Sequence, residues 1–315
     1  MRYDTQMKIL AQRRVQVLCG LVGLLIMGVG VYIGVRVWQV RGSQPVQIAQ
    51  AGEFAVSTTP NPTYNAGAHA LHIPFSQNVD VPAPKDALPV PILMYHHVGP
   101  LPGDADALRR DLTVSAEDFE TQVAWLSQAG YVTVSLADIY QATQGKLSLP
   151  PKSMVFTFDD GYADVFTFAM PILQKYHMRG SFAVVPGFLG QPDYATWDMV
   201  QGAKNAGMEI VSHTENHFDG SSVKFDAKYI QENLEQSLRE LEAHLGPIPR
   251  ILVYPYGHYT TEYIRIAQQV GFVMALTTRY GRHVDMRNLM LTPRVRVHGH
   301  GTMEKFEESI TGIKR

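Results

Sequence analysis

Residues 153–164 read SMVFTFDDGYAD. A β-rich apolar run, SMVFTF, ends at once in two carboxylates, Asp159 and Asp160, and a glycine. Successive side chains on a strand diverge, so these neighbours need not do the same job, and Gly161 lets the chain turn sharply after them. Taken alone, an Asp pair in this place also fits a turn or a helix cap. Runs of the same texture recur on both sides: VPILMYH (90–96), YVTVS (131–135), SFAVV (181–185), MEIVS (208–212), RILVY (250–254) and FVMAL (272–276).

Helical segments separate these runs. SAEDFETQVAWLSQAG (115–130) opens on Ser115 as an N-cap, carries Phe119, Val123 and Leu126 on one face, and stops at Gly130. DAKYIQENLEQSLRELEAHLG (226–246) places Ile230, Leu234, Leu238, Leu241 and Leu245 in one stripe, which reads as core packing. Alternating β and α units across residues 89–315 predict an α/β domain built on a parallel sheet, open or closed into a barrel. Active sites in such folds gather at the C-terminal ends of strands.

A second polar cluster ends another run there. HTENH (213–217) follows MEIVS, and its two histidines are four residues apart. One helical turn would bring both imidazoles to one face, as a divalent metal requires. A lone pair at this spacing is a weak signal that gains weight from a carboxylate at another strand's end. Two imidazoles and one carboxylate leave coordination positions open, the mark of a catalytic rather than a structural site. A glycosidase would need two separated carboxylates and no histidines.

TFDDG, then HTENH, then YPYG (254–257), in that order, resemble the polysaccharide deacetylases of carbohydrate esterase family 4, the NodB homology domain. The likeness spans residues 89–315. PILMYHHVG (91–99) and the helix after it are similar to the branch with a rearranged motif order, which includes poly-N-acetylglucosamine deacetylases. The resemblance implies a distorted parallel (β/α) barrel. It implies Asp159 as general base, and Asp160, His213 and His217 as ligands of a divalent metal, Zn2+ first, with Co2+ or Ni2+ also accepted by such ligands. In the YPYG loop the Tyr256 backbone N–H would be an oxyanion donor, with Pro255 and Gly257 shaping the turn. The general acid implied by the rearranged branch is His96, with His97 as a structural neighbour; His298, in LTPRVRVHGHGTMEKF (291–306), is the rival. One departure stands out: the more common third motif has an arginine where this chain has Val253. Arg294 is the candidate substitute, the alternative being that it pairs with a surface carboxylate.

The N-terminal part reads differently. VQVLCGLVGLLIMGVGVYIGV (15–35) contains one polar residue, Gln16. Twenty-one helical residues rise about 30 Å, enough to span a bilayer's hydrocarbon core. Arg36, Val37 and Trp38 follow in place of a small-x-small cleavage site, which favours an uncleaved anchor over a signal peptide. The excess of basic residues before the run favours residues 1–14 in the cytoplasm and the remainder outside. Residues 42–88, rich in Gln, Pro, Ser, Thr, Asn and Ala, read as a flexible linker. Of 27 basic and 29 acidic residues, six basic and one acidic fall in 1–41, which leaves 42–315 with a net charge of −7. No basic footprint for nucleic acid exists. The single cysteine, Cys19, forbids an intramolecular disulfide.

These readings make the chain a membrane-anchored enzyme: a metal-dependent hydrolase of N-acetyl groups on an extracytoplasmic polysaccharide, with the bilayer and the polymer as its partners. The rivals are an O-acetyl polysaccharide esterase with the same machinery and a catalytically silent carbohydrate-binding relative.

Overall fold

The computed structural model describes residues 86–314. The expected membrane helix at 15–35, the N-terminal segment 1–14 and the linker up to residue 85 lie outside the described residues. Within them, no helix is long and apolar enough to cross a membrane. Ala87–Leu88, the end of the stretch read as linker, form a short antiparallel pair with Val284–Asp285.

Seven parallel strands close into a barrel. They are β1 (Ile92–Tyr95), β2 (Ser153–Phe158), β3 (Gly180–Val184), β4 (Glu209–Ser212), β5 (Ile251–Val253), β6 (Met274–Tyr280) and β7 (Thr292–Arg296). Each pairs with the next in chain order, and β7 also pairs with β1, which closes the ring. Ile92 opposes Val155 and Tyr95 opposes Phe158 at the β1–β2 seam. Val132–Thr133, from the YVTVS run, pairs with β2 outside the ring.

Closure gives every strand an inside and an outside, and the period of two sorts the residues. Ile92, Val155, Ala183, Val211, Ile251, Val253, Met274 and Leu276 form one apolar cluster that fills the barrel. Their neighbours Leu93, Phe156, Phe182, Ile210, Leu252 and Ala275 belong to a second cluster with the helices. The helix Ala116–Gln128 contributes Phe119, Val123 and Leu126 to that outer layer, and Ala227–Leu245 contributes its leucine stripe. Ser115 and Asp226 cap these helices by accepting from Asp118 N and Tyr229 N. At the N-terminal end of the barrel, Leu136 and Ile139 join the inner cluster. There the half-buried Glu209 carboxylate accepts the Leu136 and Ala137 amides at 2.9 and 3.0 Å, capping the helix Leu136–Thr143 from a distant strand.

The opposite end is the mouth. Parity carried one step past the strands aims His96, Asp159 and His213 inward there, after Met94, Thr157 and Val211. Arg294 sits within β7 on the same inner parity as Thr292.

Candidate active site

Asp159 is still part of the sheet: its N–H donates to Tyr95 O at 3.0 Å, and its carboxylate is buried. Arg294 meets it there. The guanidinium donates from both terminal nitrogens to the two Asp159 oxygens, each at 2.8 Å. Thr157 Oγ1 (2.9 Å) and Thr277 O (3.0 Å) take two more of its N–H groups. Arg294 is 1% exposed, so its partner is no surface carboxylate. Burial alone would raise the Asp159 pKa; the Arg294 charge and hydrogen bonds outweigh it and hold the group below the ordinary value.

Asp160 leaves the strand. Its φ of +71°, followed by +78° at Gly161, turns the backbone so that the second carboxylate swings away from the first. Asp160 Oδ1 lies 3.0 Å from His213 Nε2 and 3.1 Å from His217 Nε2. The HTENH segment is not the helical turn that its spacing suggested. Thr214 and His217 adopt φ of +67° and +57°, and the tight turn is closed by Thr214 Oγ1 accepting the His217 N–H at 3.0 Å. Ser212 Oγ, bonded to Ser237 on the long helix, receives the Thr214 N–H, and Asn233 of the same helix accepts from Glu215 N. Two buried polar residues of the long helix, Asn233 and Ser237, thereby fix the loop.

His213 Nδ1 is 2.7 Å from Val253 O, and a carbonyl can only accept, so this nitrogen carries the proton. In a neutral ring, Nε2 then presents a lone pair to a carboxylate oxygen 3.0 Å away. Two lone pairs do not face each other at that distance without a cation between them, a proton or a metal ion. Asp160, His213 and His217 offer three ligand atoms within 4.8 Å of one another, a donor set that suits a divalent metal, and the Val253 carbonyl fixes the tautomer as such sites require. Burial opposes charge on Asp160, but hydrogen bonds from both imidazoles hold its pKa well below the ordinary value.

His96 follows β1, and its Nε2 is 4.0 Å from Asp159 Oδ2. Burial lowers its pKa against the raising influence of Asp159 and Asp160. His97 turns away: it is buried, its Nδ1 meets Asp164 Oδ2 at 2.7 Å, and its ring lies on Tyr162, centroids 3.7 Å apart. His298 pairs with Asp111 at 2.8 Å and has a partly exposed side chain.

In the YPYG loop Pro255 is buried and Tyr256 has φ +59°. A Cβ on Gly257 would stand 2.1 Å from Thr278 Oγ1, so only glycine fits there. The Tyr256 ring, 53% exposed, borders His217 with centroids 4.6 Å apart. Val253, where the common third motif has arginine, stays in the apolar filling of the barrel on β5, and the guanidinium that meets Asp159 comes from Arg294 on β7. The structure thus brings together His96, Asp159, Arg294, Asp160, His213, His217 and the Tyr256 loop. Sequence reasoning missed Tyr162, Phe188 and Tyr194, which edge the same mouth; a stretch such as PGFLGQPDYATW (186–197) reads only as a Gly/Pro-rich loop.

Residues 146–275 match the family described as polysaccharide deacetylase. The chain carries a polysaccharide deacetylase domain. The Bacillus subtilis protein YxkH is 28% identical over 226 residues, 71% of this chain and 77% of that one. The Escherichia coli (strain K12) poly-beta-1,6-N-acetyl-D-glucosamine N-deacetylase is 26% identical over 252 residues, 67% of this chain. The match covers 37% of that relative's length. Among solved structures, Streptococcus pyogenes deacetylase PplD in complex with acetate superposes with TM-score 0.65 and 26% identity, covering 70% of this chain and 97% of that one. This polysaccharide deacetylase domain therefore has the expected barrel, closed by seven strands.

Proposed function

We propose that this polysaccharide deacetylase hydrolyses the N-acetyl groups of N-acetylglucosamine units in a β-linked polymer, releasing acetate and a free amine. The observation that carries the reading is the His96–Asp159 pairing beside the His/Asp triad. An amine leaves an amide only when protonated, whereas an ester alcohol departs more readily, so an acid next to the base favours an amide substrate. The name of the Escherichia coli relative supports the same sugar.

The residues divide the work. Asp159, ionised and gripped by Arg294, accepts a proton from water as its oxygen adds to the acetamide carbon. The Tyr256 N–H stands as donor to the oxygen that gains charge. His96 delivers a proton to the sugar nitrogen as the C–N bond breaks. A divalent metal held by Asp160, His213 and His217 would polarise the carbonyl and acidify the attacking water. Zn2+ is the first expectation for such ligands.

Purified full-length chain, stripped by chelation and reloaded with Zn2+, tests the reading through acetate release from N-acetylated oligosaccharides and from O-acetylated xylan. Metal-dependent release from the N-acetylated set is expected. Full activity after stripping, or release from xylan alone, overturns it.

We also infer a single-pass anchor at 15–35 with the domain outside the cytoplasm, which would place it where wall or matrix polymers lie. In a Cys19→Ala background, a cysteine introduced at a position between 42 and 85 should react with a membrane-impermeant thiol reagent in intact cells. Reaction only after lysis refutes the orientation.

A further inference from the structure

Two polar side chains just beyond the site have no part in the chemistry described so far. Asp219 stands two residues past His217, and His258 stands two residues past Tyr256. The loops that carry them leave different strands, β4 and β5, yet the two side chains meet. His258 Nδ1 donates to Asp219 Oδ1 at 3.0 Å, and both groups are half-buried. Between them and the centre, the Tyr256 ring borders the His217 ring at 4.6 Å and the His258 ring at 5.9 Å. Four side chains therefore close a circuit: His217 to Tyr256 by ring contact, and Asp219 to His258 by a hydrogen bond.

The Asp219 half is built in advance. Its Oδ1 also accepts the Ser221 N–H at 2.9 Å and the Ser221 hydroxyl at 2.7 Å, so the carboxylate is aimed before His258 arrives. Gly220 brings the two backbones together: a Cβ there would stand 2.2 Å from the Tyr263 ring and 3.0 Å from His258 O. The Tyr256 half needs such support. Its turn is closed by Gly257 N donating to Tyr254 O at 2.9 Å and His258 N to Pro255 O at 3.0 Å. Within it Tyr256 holds a left-handed φ of +59°, which persists only where the surroundings enforce it.

An oxyanion donor acts at hydrogen-bond distance from the place where charge develops, and a displacement of about 1 Å can cost about 10²-fold in rate. We propose that Asp219 and His258 are positioning residues that lock the Tyr256 loop onto the loop carrying His217, and so fix the spacing between the oxyanion donor and the metal ligands. The inference rests on the deacetylase reading above, in which the Tyr256 N–H is that donor.

The test uses the full chain with Asp219→Ala, His258→Ala, the double variant and His258→Asn, whose side-chain amide can still donate to Asp219. In metal-free protein, the Gly257 and His258 amides should exchange about fivefold to tenfold faster in each alanine variant, the order expected for losing one hydrogen bond. Loaded with Zn2+, each alanine variant should lose about tenfold in kcat on N-acetylglucosamine oligomers, less than the about 10²–10³-fold for removing a donor outright. KM, and Zn2+ affinity measured against a competing chelator, should stay within about twofold. The double variant should be no worse than the poorer single one, because the pair acts as a unit, and His258→Asn should recover most of kcat. Unchanged kcat, additive losses, or a defect confined to KM or to Zn2+ affinity overturns the lock. A wild type that releases no acetate refutes the deacetylase reading instead, and the exchange rates then decide the lock alone: acceleration supports it and unchanged rates overturn it.

Discussion

Replacing Arg294 probes the site most deeply, because one side chain carries both stability and the state of the base. Its guanidinium makes two 2.8 Å bonds to Asp159 and two more to Thr157 and Thr277, all shielded from water. Hydrogen bonds to charged groups are worth about 1.5–3 kcal/mol each, which puts the pair at about 3–6 kcal/mol. Breaking a buried ion pair by removing one partner costs about 3–5 kcal/mol, in agreement. Arg294→Met should therefore lose about 3–5 kcal/mol in urea denaturation, run after chelation so that metal affinity does not enter. A typical domain has about 5–15 kcal/mol in total, so this variant sits near the limit of folding.

Arg294→Lys is the working variant, since a lysine keeps the charge but not the two-pronged geometry. About 1.5–3 kcal/mol of loss is expected for it. Its sharper readout is pH. In the wild type Arg294 holds the Asp159 pKa below the ordinary value, and the carboxylate must be ionised to take a proton from water. Weakening the pair lets the Asp159 pKa rise, so the acidic limb of the kcat/KM profile should move to higher pH. Double-mutant cycles with Asp159→Asn should give a coupling of more than 1 kcal/mol. A loss under 1 kcal/mol in Arg294→Met, no coupling and an unmoved acidic limb would together refute the assignment of Arg294 as the partner that sets the base.

Asp159→Asn should keep metal and lose about 10²–10⁴-fold in turnover, melting lower because an amide accepts only one of the two Arg294 bonds; Asp160→Asn should instead lose metal by elemental analysis. His96→Ala should slow amide cleavage with metal retained, and the defect should shrink on an activated acetate ester. His298→Ala should be nearly silent, and a reversed pattern between these two would move the acid to the C-terminal segment. Hydrogen bonds from His298 and Arg296 outweigh burial and hold the Asp111 pKa low, so its contribution is present above the unfolded value and is lost as pH falls through the folded one. Thermal melts of Asp111→Asn should accordingly fall less steeply than wild type on acidification below about pH 4.

What the sequence disclosed, it disclosed through local chemistry. Six runs of β-rich residues became barrel strands near their expected places, because burial on both faces leaves an unbroken apolar signature. A seventh, YVTVS, pairs outside the ring, and β7 was legible only as the end of LTPRVRV. Ring closure itself is a contact between β1 and β7, residues about 200 apart in sequence, which no local pattern encodes. The Asp and His clusters stood out by type and by position at strand ends. Arg294 could be named only as a candidate, with surface pairing as the alternative: its partner is 135 residues away, and nothing in PRVRV distinguishes a buried guanidinium from a solvated one. The HTENH geometry also resisted reading. A four-residue spacing suggests a helix, but Thr214 and His217 take left-handed conformations that sequence disfavours and the Ser212, Ser237 and Asn233 hydrogen bonds enforce.

Left-handed backbone at a single residue lets two adjacent aspartates hold different offices. Asp159 stays in the strand ladder and inherits the inward parity of Val155 and Thr157, so it must meet whatever fills the barrel mouth, which is Arg294. Asp160 would point outward toward the helices if the strand continued. The left-handed turn at residues 160 and 161 redirects it to the histidines, at a strain of about 1–3 kcal/mol for a non-glycine residue. Glycine at 160 would remove the strain and the ligand together, while aspartate is among the few residues that tolerate the conformation. His217 and Tyr256 carry the same left-handed backbone. Four of the seven described non-glycine residues with positive φ, Asp160, Thr214, His217 and Tyr256, lie in the loops of the site, where the ladder bonds Asp159 N to Tyr95 O and His213 N to Val184 O hold the first three in place. A metal ion bound by Asp160, His213 and His217 would stabilise the conformations that the backbone alone disfavours, which links occupancy of the centre to order in both loops.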